Sequence, residues 1–192
     1  MNDKVMKRIK FLWSLLLLGT MATALCACSN DDEVPAPDND AAQQGYWYHE
    51  QFIALHESDL PYVLVVANSK STDDFKEQVE KLFVTDYHKG RYLIRKSDLG
   101  ALPDCYVSPI YQTDDGSHLI ILPHVTLVLE EGFSLKDVIP ENLQSLILSR
   151  EGSKLTLDVS SSAEVLAFIE QVHSVEGIER CEPDMLIEIK LL

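Results

Sequence analysis

The chain is 192 residues long and carries 16 Lys+Arg against 31 Asp+Glu, a formal net charge of −15 at pH 7. A surface this acidic repels phosphate backbones and disfavours anionic headgroups, so nucleic acid is excluded from the expected partners. The part whose composition suits folding runs from about Gly45 to Leu192, enough for one medium domain or two small lobes.

The chain opens with a positive stretch, Lys4, Lys7, Arg8 and Lys10. Phe11 to Leu18 is apolar, and small and apolar residues continue to Leu25. This has signal-peptide length and is too short for a spanning helix of ~20 residues. Leu25-Cys26-Ala27-Cys28 follows directly. Small residues before Cys28 let a signal peptidase cut there, and the string reads as a bacterial lipoprotein processing site. Residues 1–27 are therefore expected to be a signal peptide and Cys28 the lipidated terminus. A thioether diacylglycerol and an amide-linked acyl chain would supply the two lipid signals that stable anchoring needs. Loss of residues 1–27 leaves 12 Lys+Arg against 30 Asp+Glu, a formal charge of −18.

Ser29-Asn30-Asp31-Asp32-Glu33 is acidic, and Val34 to Gln44 is rich in Pro, Asp, Ala and Gln. Residues 28–44 read as a disordered tether. Their acidic start resembles the surface-export signal of lipoproteins in Bacteroides-like bacteria. The expected location is the outer membrane, lipid-anchored and facing outward, with its periplasmic face as the alternative. In such a compartment Cys105 and Cys181 could pair as a disulfide. The apolar context of each equally suits a buried thiol.

Residues 45–116 read as a smaller α/β segment. Tyr46-Trp47-Tyr48 and Phe52-Ile53-Ala54-Leu55, around His49-Glu50-Gln51, predict a hairpin. Tyr62 to Ala67 is a short run rich in β-branched residues, the pattern of a buried strand. Ser71-Thr72-Asp73-Asp74 predicts a helix start, with Phe75, Val79, Leu82 and Phe83 on one helical face. Arg91 to Lys96 is strand-like, Leu99 to Pro109 is loop-rich, and Val107 to Gln112 predicts a further strand. Asp114-Asp115-Gly116 is a turn signal.

Residues 117–192 have a clearer order. Ser117 to Leu122 and Val125 to Glu130 predict two strands around Pro123. A short helix from Ser134 to Val138 is curtailed by Pro140. Leu146 to Ser149 and Leu155 to Val159 predict a pair of strands around Glu151-Gly152-Ser153. Ser161 and Glu164 form a capping box, and Val165, Phe168, Ile169 and Val172 follow at helical spacing. Gly177 ends that helix, and Met185 to Ile189 alternates as a closing strand. From Val125 on, the order β-α-β-β-α-β predicts an α+β domain of ferredoxin-like type, two helices on one face of an antiparallel sheet.

No motif for chemistry stands out. The six histidines are His49, His56, His88, His118, His124 and His173. His56-Glu57 lacks the second His of a zinc protease, and no nucleophile elbow, P-loop or dinucleotide fingerprint occurs. His118 and His124, six apart around Pro123, make a poor metal pair, and Asp114-Asp115-Gly116 lacks the spaced oxygens of a calcium loop. Neither a metal nor another cofactor is expected.

A resemblance emerges at Val165 to Asp184. There a helix is followed by Val175-Glu176-Gly177-Ile178-Glu179-Arg180-Cys181-Glu182-Pro183-Asp184. This is similar to the end of the propeptide domain of subtilisin-type serine proteases, where a helix, a glycine turn and a strand opening Glu-Pro-Asp occur together. The aromatic hairpin at Tyr46-Trp47-Tyr48, and Val107-Ser108-Pro109-Ile110-Tyr111 with Asp115-Gly116, resemble the N-terminal region of the lipoprotein members of that group in Bacteroides-like bacteria. Two departures matter. The sequence reaches only eight residues past Asp184 and lacks the protease's Asp, His and Ser motifs, so the chain is expected not to be an enzyme. The helix shortened at Pro140 is the second departure. The resemblance implies a non-catalytic binding module, an inhibitor or folding chaperone of a subtilisin-like serine protease. Glu188, Ile189, Lys190, Leu191 and Leu192 would be the cleft-binding tail, read by strand addition. The alternative is a surface adhesion or scaffold lipoprotein with no protease partner.

Overall fold

A computed structural model describes residues 44–48, 50–68, 72–86 and 90–187. All of them fall within one compact unit that begins at Ala41. Cys28, the acidic tether, His49, His88, Ser71 and the tail Glu188 to Leu192 lie outside the described residues. The described chain is α+β, with antiparallel sheets and few helices.

The first element pair is a hairpin of β1 (Gly45–Tyr48) and β2 (Gln51–Ala54), with Tyr46 opposite Ile53 and Trp47 opposite Phe52. A four-stranded sheet follows. Its order is β5 (Thr85–Asp86), β6 (Arg91–Arg95), β4 (Tyr62–Ala67) and β7 (Cys105–Pro109). Helix α1 (Thr72–Val79) covers one face, where Phe75 and Val79 bury against Val63, Val65, Ile94 and Cys105. The helical spacing from Phe75 predicts a longer helix than the fold contains. Leu82 and Phe83 come after α1, and Phe83 stays exposed against the ring of Tyr92.

The expected strand at Val107 to Gln112 is divided between two sheets. β7 ends at Pro109, which has no N–H to extend the ladder and stands on an edge strand. Ile110 is buried at the crossing, and β8 (Tyr111–Gln112) joins the second sheet beside β3 (His56–Glu57). Thr113 to Ser117 then turn the chain, with Gly116 at φ +84.

The second sheet is organised by β9 (His118–Leu129). The sequence predicts two strands here, but Pro123 does not break the ladder. The pairing register with β12 (Ile178–Ile187) shifts between Pro183↔Val125 and Met185↔Ile121, so Pro123 sits in an irregularity. β11 (Lys154–Leu157) pairs only with residues 124–126 of β9. The missing N–H therefore falls where neither neighbour has a regular bond to lose. β10 (Ile147–Glu151) pairs β11, and the order across this half is β10-β11-β9-β12, all antiparallel. Between β9 and β10 run two one-turn helices split by Pro140, α2 (Leu135–Val138) and α3 (Glu141–Gln144). The sequence predicts only the first. α4 (Ser162–Val172) lies between β11 and β12.

The α4 start follows its sequence closely. Ser161 Oγ accepts from Glu164 N at 3.4 Å, and the Glu164 carboxylate accepts from Ser160 N at 3.0 Å. One orphan donor at the helix start is thus met, and the return bond reaches past the cap to the residue before it. Val165, Phe168, Ile169 and Val172 are all buried, as the periodicity predicts.

Alternation along β9 explains the layering. Leu119, Ile121, Val125 and Leu127 face α2, α3 and α4 in one core cluster. Ile120 and Leu122 face the other way and meet Leu64 and Leu93 of the first sheet. The layers run α1, first sheet, second sheet, then α2 to α4. Two buried tyrosines stitch them together with satisfied hydroxyls. Tyr106 donates to Ile121 O at 2.9 Å, and the Tyr111 and Ser162 hydroxyls lie 2.7 Å apart. Cys105 and Cys181 are both free and buried, in different core clusters, so the disulfide that the compartment would permit is not formed. Burial, followed by the charge of Asp104, pushes the Cys105 thiol up to about 11. Burial, followed by the charge of Glu182, pushes Cys181 up to about 12.

Candidate functional site

The first sheet covers only the part of the second sheet around Ile120, Leu122 and Leu186. Beyond Pro123 the same face carries polar residues and is open. Cross-strand register sets its rows: Lys154 and Glu182 flank Thr126, while Thr156 lies beside His124 and Arg180 beside Val128. Each alternates with a neighbour buried under the helices (Val125, Leu127, Leu155, Cys181).

Asp184 is the hub of this face. It follows Glu182 by two residues on β12, so strand alternation puts its carboxylate on the same open face. Oδ1 accepts from Thr126 Oγ1 at 3.1 Å, and Oδ2 pairs with Lys154 Nζ. The imidazole of His124 has Nδ1 at 3.7 Å from Oδ2. That is beyond hydrogen-bond reach, and Nδ1 has no other partner. Asp184 is held well below the usual carboxylate range, first by His124 and then by the Lys154 ammonium and the Thr126 hydroxyl, against the opposing effect of burial. It therefore stays ionised through ordinary pH. On the adjacent row Arg180 lies 3.8 Å from Glu182 Oε2, and Glu182 Oε1 has no hydrogen-bond donor. The face thus presents fixed charges of both signs with unfilled polar valences at His124 and Glu182.

The other histidines are dispersed. His56 pairs with exposed Asp114 at 3.2 Å. His173 stacks on Trp47 with ring centroids 4.9 Å apart, and its Nδ1 lies 2.8 Å from Glu170 O. Among the described residues no three His, Cys, Asp or Glu side chains cluster as metal ligands would. In the Asp114-Asp115-Gly116 turn, Asp115 Oδ1 accepts from Thr113 Oγ1 at 2.6 Å and from Ser117 N at 2.9 Å, so its carboxylate is spent on closing the hairpin. Thr113 in particular lowers its pKa.

The tail Glu188 to Leu192 and Cys28 lie outside the described residues. β12 leaves off at Ile187, opposite Leu119 at the start of β9. The sequence reading missed Asp184 as a hub. Its partners come from two other strands, β9 and β11, and the cross-strand register that brings them beside it is not encoded in any local pattern.

Together these features describe an α+β protein with a half-open polar sheet face. Among the described residues no helix is long and apolar enough to cross a membrane. Comparison with protein-family models, with curated proteins and with solved structures finds no match to this chain.

Proposed function

We propose that the protein is a lipid-anchored, outer-membrane binding module that engages a subtilisin-like serine protease without catalysing a reaction itself. The observation that carries this reading is the strand order β10-β11-β9-β12 with α2 to α4 gathered on one face. That order is compatible with a ferredoxin-like β-α-β-β-α-β domain, and it leaves half of the opposite face free for a partner. The reading also draws on the sequence resemblance to subtilase propeptides at the Gly177 turn, which has φ +95, and at Glu182-Pro183-Asp184 within β12. In this reading the open face bears on the protease, and Glu188 to Leu192 enter its cleft as an extended strand. The formal charge of −18 after loss of residues 1–27 speeds association with a basic partner at low salt. Cys28 carries the lipid.

The test is inhibition. The lipidated chain at micromolar concentration is expected to slow a subtilisin-type protease of its own organism. Deleting Glu188 to Leu192 is expected to relieve that inhibition while far-UV circular dichroism stays unchanged. If no such protease is slowed, the chain acts as an adhesion or scaffold lipoprotein instead. A Cys28→Ala chain processed and membrane-bound like wild type would overturn the anchor.

A further inference from the structure

A second feature runs along the outer edge of β12 and meets the open face at Arg180 and Glu182. Among the described residues no strand pairs with this edge. Between it and the β1–β2 hairpin runs a half-open groove of about 770 Å³, lined in part by Trp47, Glu50, His173, Glu179, Arg180 and Glu182. Its wall is aromatic: His173 stacks on Trp47 with planes 10° apart. Its rim is acidic. Three carboxylates face one guanidinium, and that guanidinium, on Arg180, is already drawn to Glu182. Glu182 Oε1 is shut from solvent and has no donor, so the carboxylate keeps charge that Arg180 leaves unmet.

Strand addition is a poor use of this edge. The register of β12 shifts between Ile178 and Arg180, and Pro183 offers no N–H. Bulges, prolines and charged side chains are how sheets block edge pairing. The groove is suited instead to a side chain. A planar cation can lie against an indole and reach carboxylates with a fork of N–H donors, and arginine combines both.

We infer that the Trp47–His173 groove is a binding site for an arginine side chain presented by a partner polypeptide. The site shares Arg180 and Glu182 with the open sheet face but takes its aromatic wall from Trp47 and His173, which that face does not include. It agrees in sign with the acidic surface, which draws basic partners.

Trp47 makes the test direct. The sequence holds two tryptophans, Trp13 and Trp47, so the full chain with Trp13→Phe in detergent reports from Trp47 alone. The probe is an acetylated and amidated pentapeptide, Gly-Ala-Arg-Ala-Gly, and its twin with neutral citrulline in place of arginine. The arginine peptide is expected to change Trp47 emission saturably, with affinity falling as salt rises. The citrulline peptide, nearly the same shape without the charge, is expected to bind at least tenfold more weakly. Glu179→Lys, at an exposed edge position, is expected to weaken binding at least fivefold with the melting temperature unchanged. Equal binding of the arginine and citrulline peptides, or no saturable change in emission, would overturn the proposal. So would arginine amide alone binding as tightly as the pentapeptide, since that would remove the polypeptide from the assignment.

Discussion

Gly177 is where a single methyl group tests the packing of the helical layer. Its backbone has φ +95, a region that L side chains seldom adopt. Its carbonyl accepts from Glu130 N at 3.0 Å, which pins the turn to the end of β9. A Cβ built there would run into the Phe133 ring and lie 2.7 Å from Val138 Cγ1. Two costs follow. Placing a non-glycine residue at such a φ costs about 1–2 kcal/mol, and forcing extra volume against packed neighbours costs about 1–3 kcal/mol. Phe133 is partly exposed and can swing aside, but Val138 is 4% exposed on a helix of one turn and cannot. Gly177→Ala is therefore expected to cost about 2–5 kcal/mol, a large share of a domain's typical ~5–15 kcal/mol. The control is Gly152→Ala, where φ is +60 and a Cβ meets nothing within 4 Å. It is expected to show the backbone cost alone, about 1 kcal/mol. Urea unfolding of both variants measures the difference. Equal midpoints for the two would refute the packing part of the argument, and an unchanged midpoint for Gly177→Ala would refute the whole.

Phe168→Ala removes a ring that is 1% exposed in the core under α4, and should lower stability by about 3–5 kcal/mol in the same urea assay. Asp184 has its pKa depressed by folding, so its contribution is complete above the unfolded value of about 3.9 and is lost as pH falls below it. Asp184→Asn should therefore lag wild type at pH 7 and close part of that gap at pH 3; a gap independent of pH would show that the ionised form contributes nothing. Burial holds the Cys105 and Cys181 thiols protonated at neutral pH. Iodoacetamide followed by peptide mass mapping should label both only after denaturant is added, and rapid labelling of either in the native protein would contradict its placement.

Legibility of the fold followed the locality of the signal. The α4 start needed only Ser161, Glu164 and the apolar residues that follow, all within one helix, and these residues sit as read. The hairpin at Tyr46 and Phe52 is equally local. Where the reading failed, a distant partner had decided. Pro123 reads as a strand break because proline lacks a donor. The fold keeps one strand through it because both flanking ladders happen to be irregular there. Val107 to Gln112 reads as one strand because its apolar pattern is continuous. It is divided because Pro109 ends one ladder and Tyr111 begins another. Phe83 reads as a helix-face residue by spacing, yet α1 ends before it.

By itself the sequence determined the export and lipidation expectations, the acidity that repels phosphate, the class of most elements and the buried face of α4. These depend on composition and on periodicities of a few residues. Only the tertiary structure decided that the two sheets stack through Leu64, Leu93, Ile120 and Leu122, and that Cys105 and Cys181 lie unpaired in separate cores. It alone brought Lys154, His124 and Thr126 around Asp184, and Trp47 against His173. Those groups are far apart in the chain. Their meeting depends on strand register and on the packing of one layer against the next, which a local pattern does not specify.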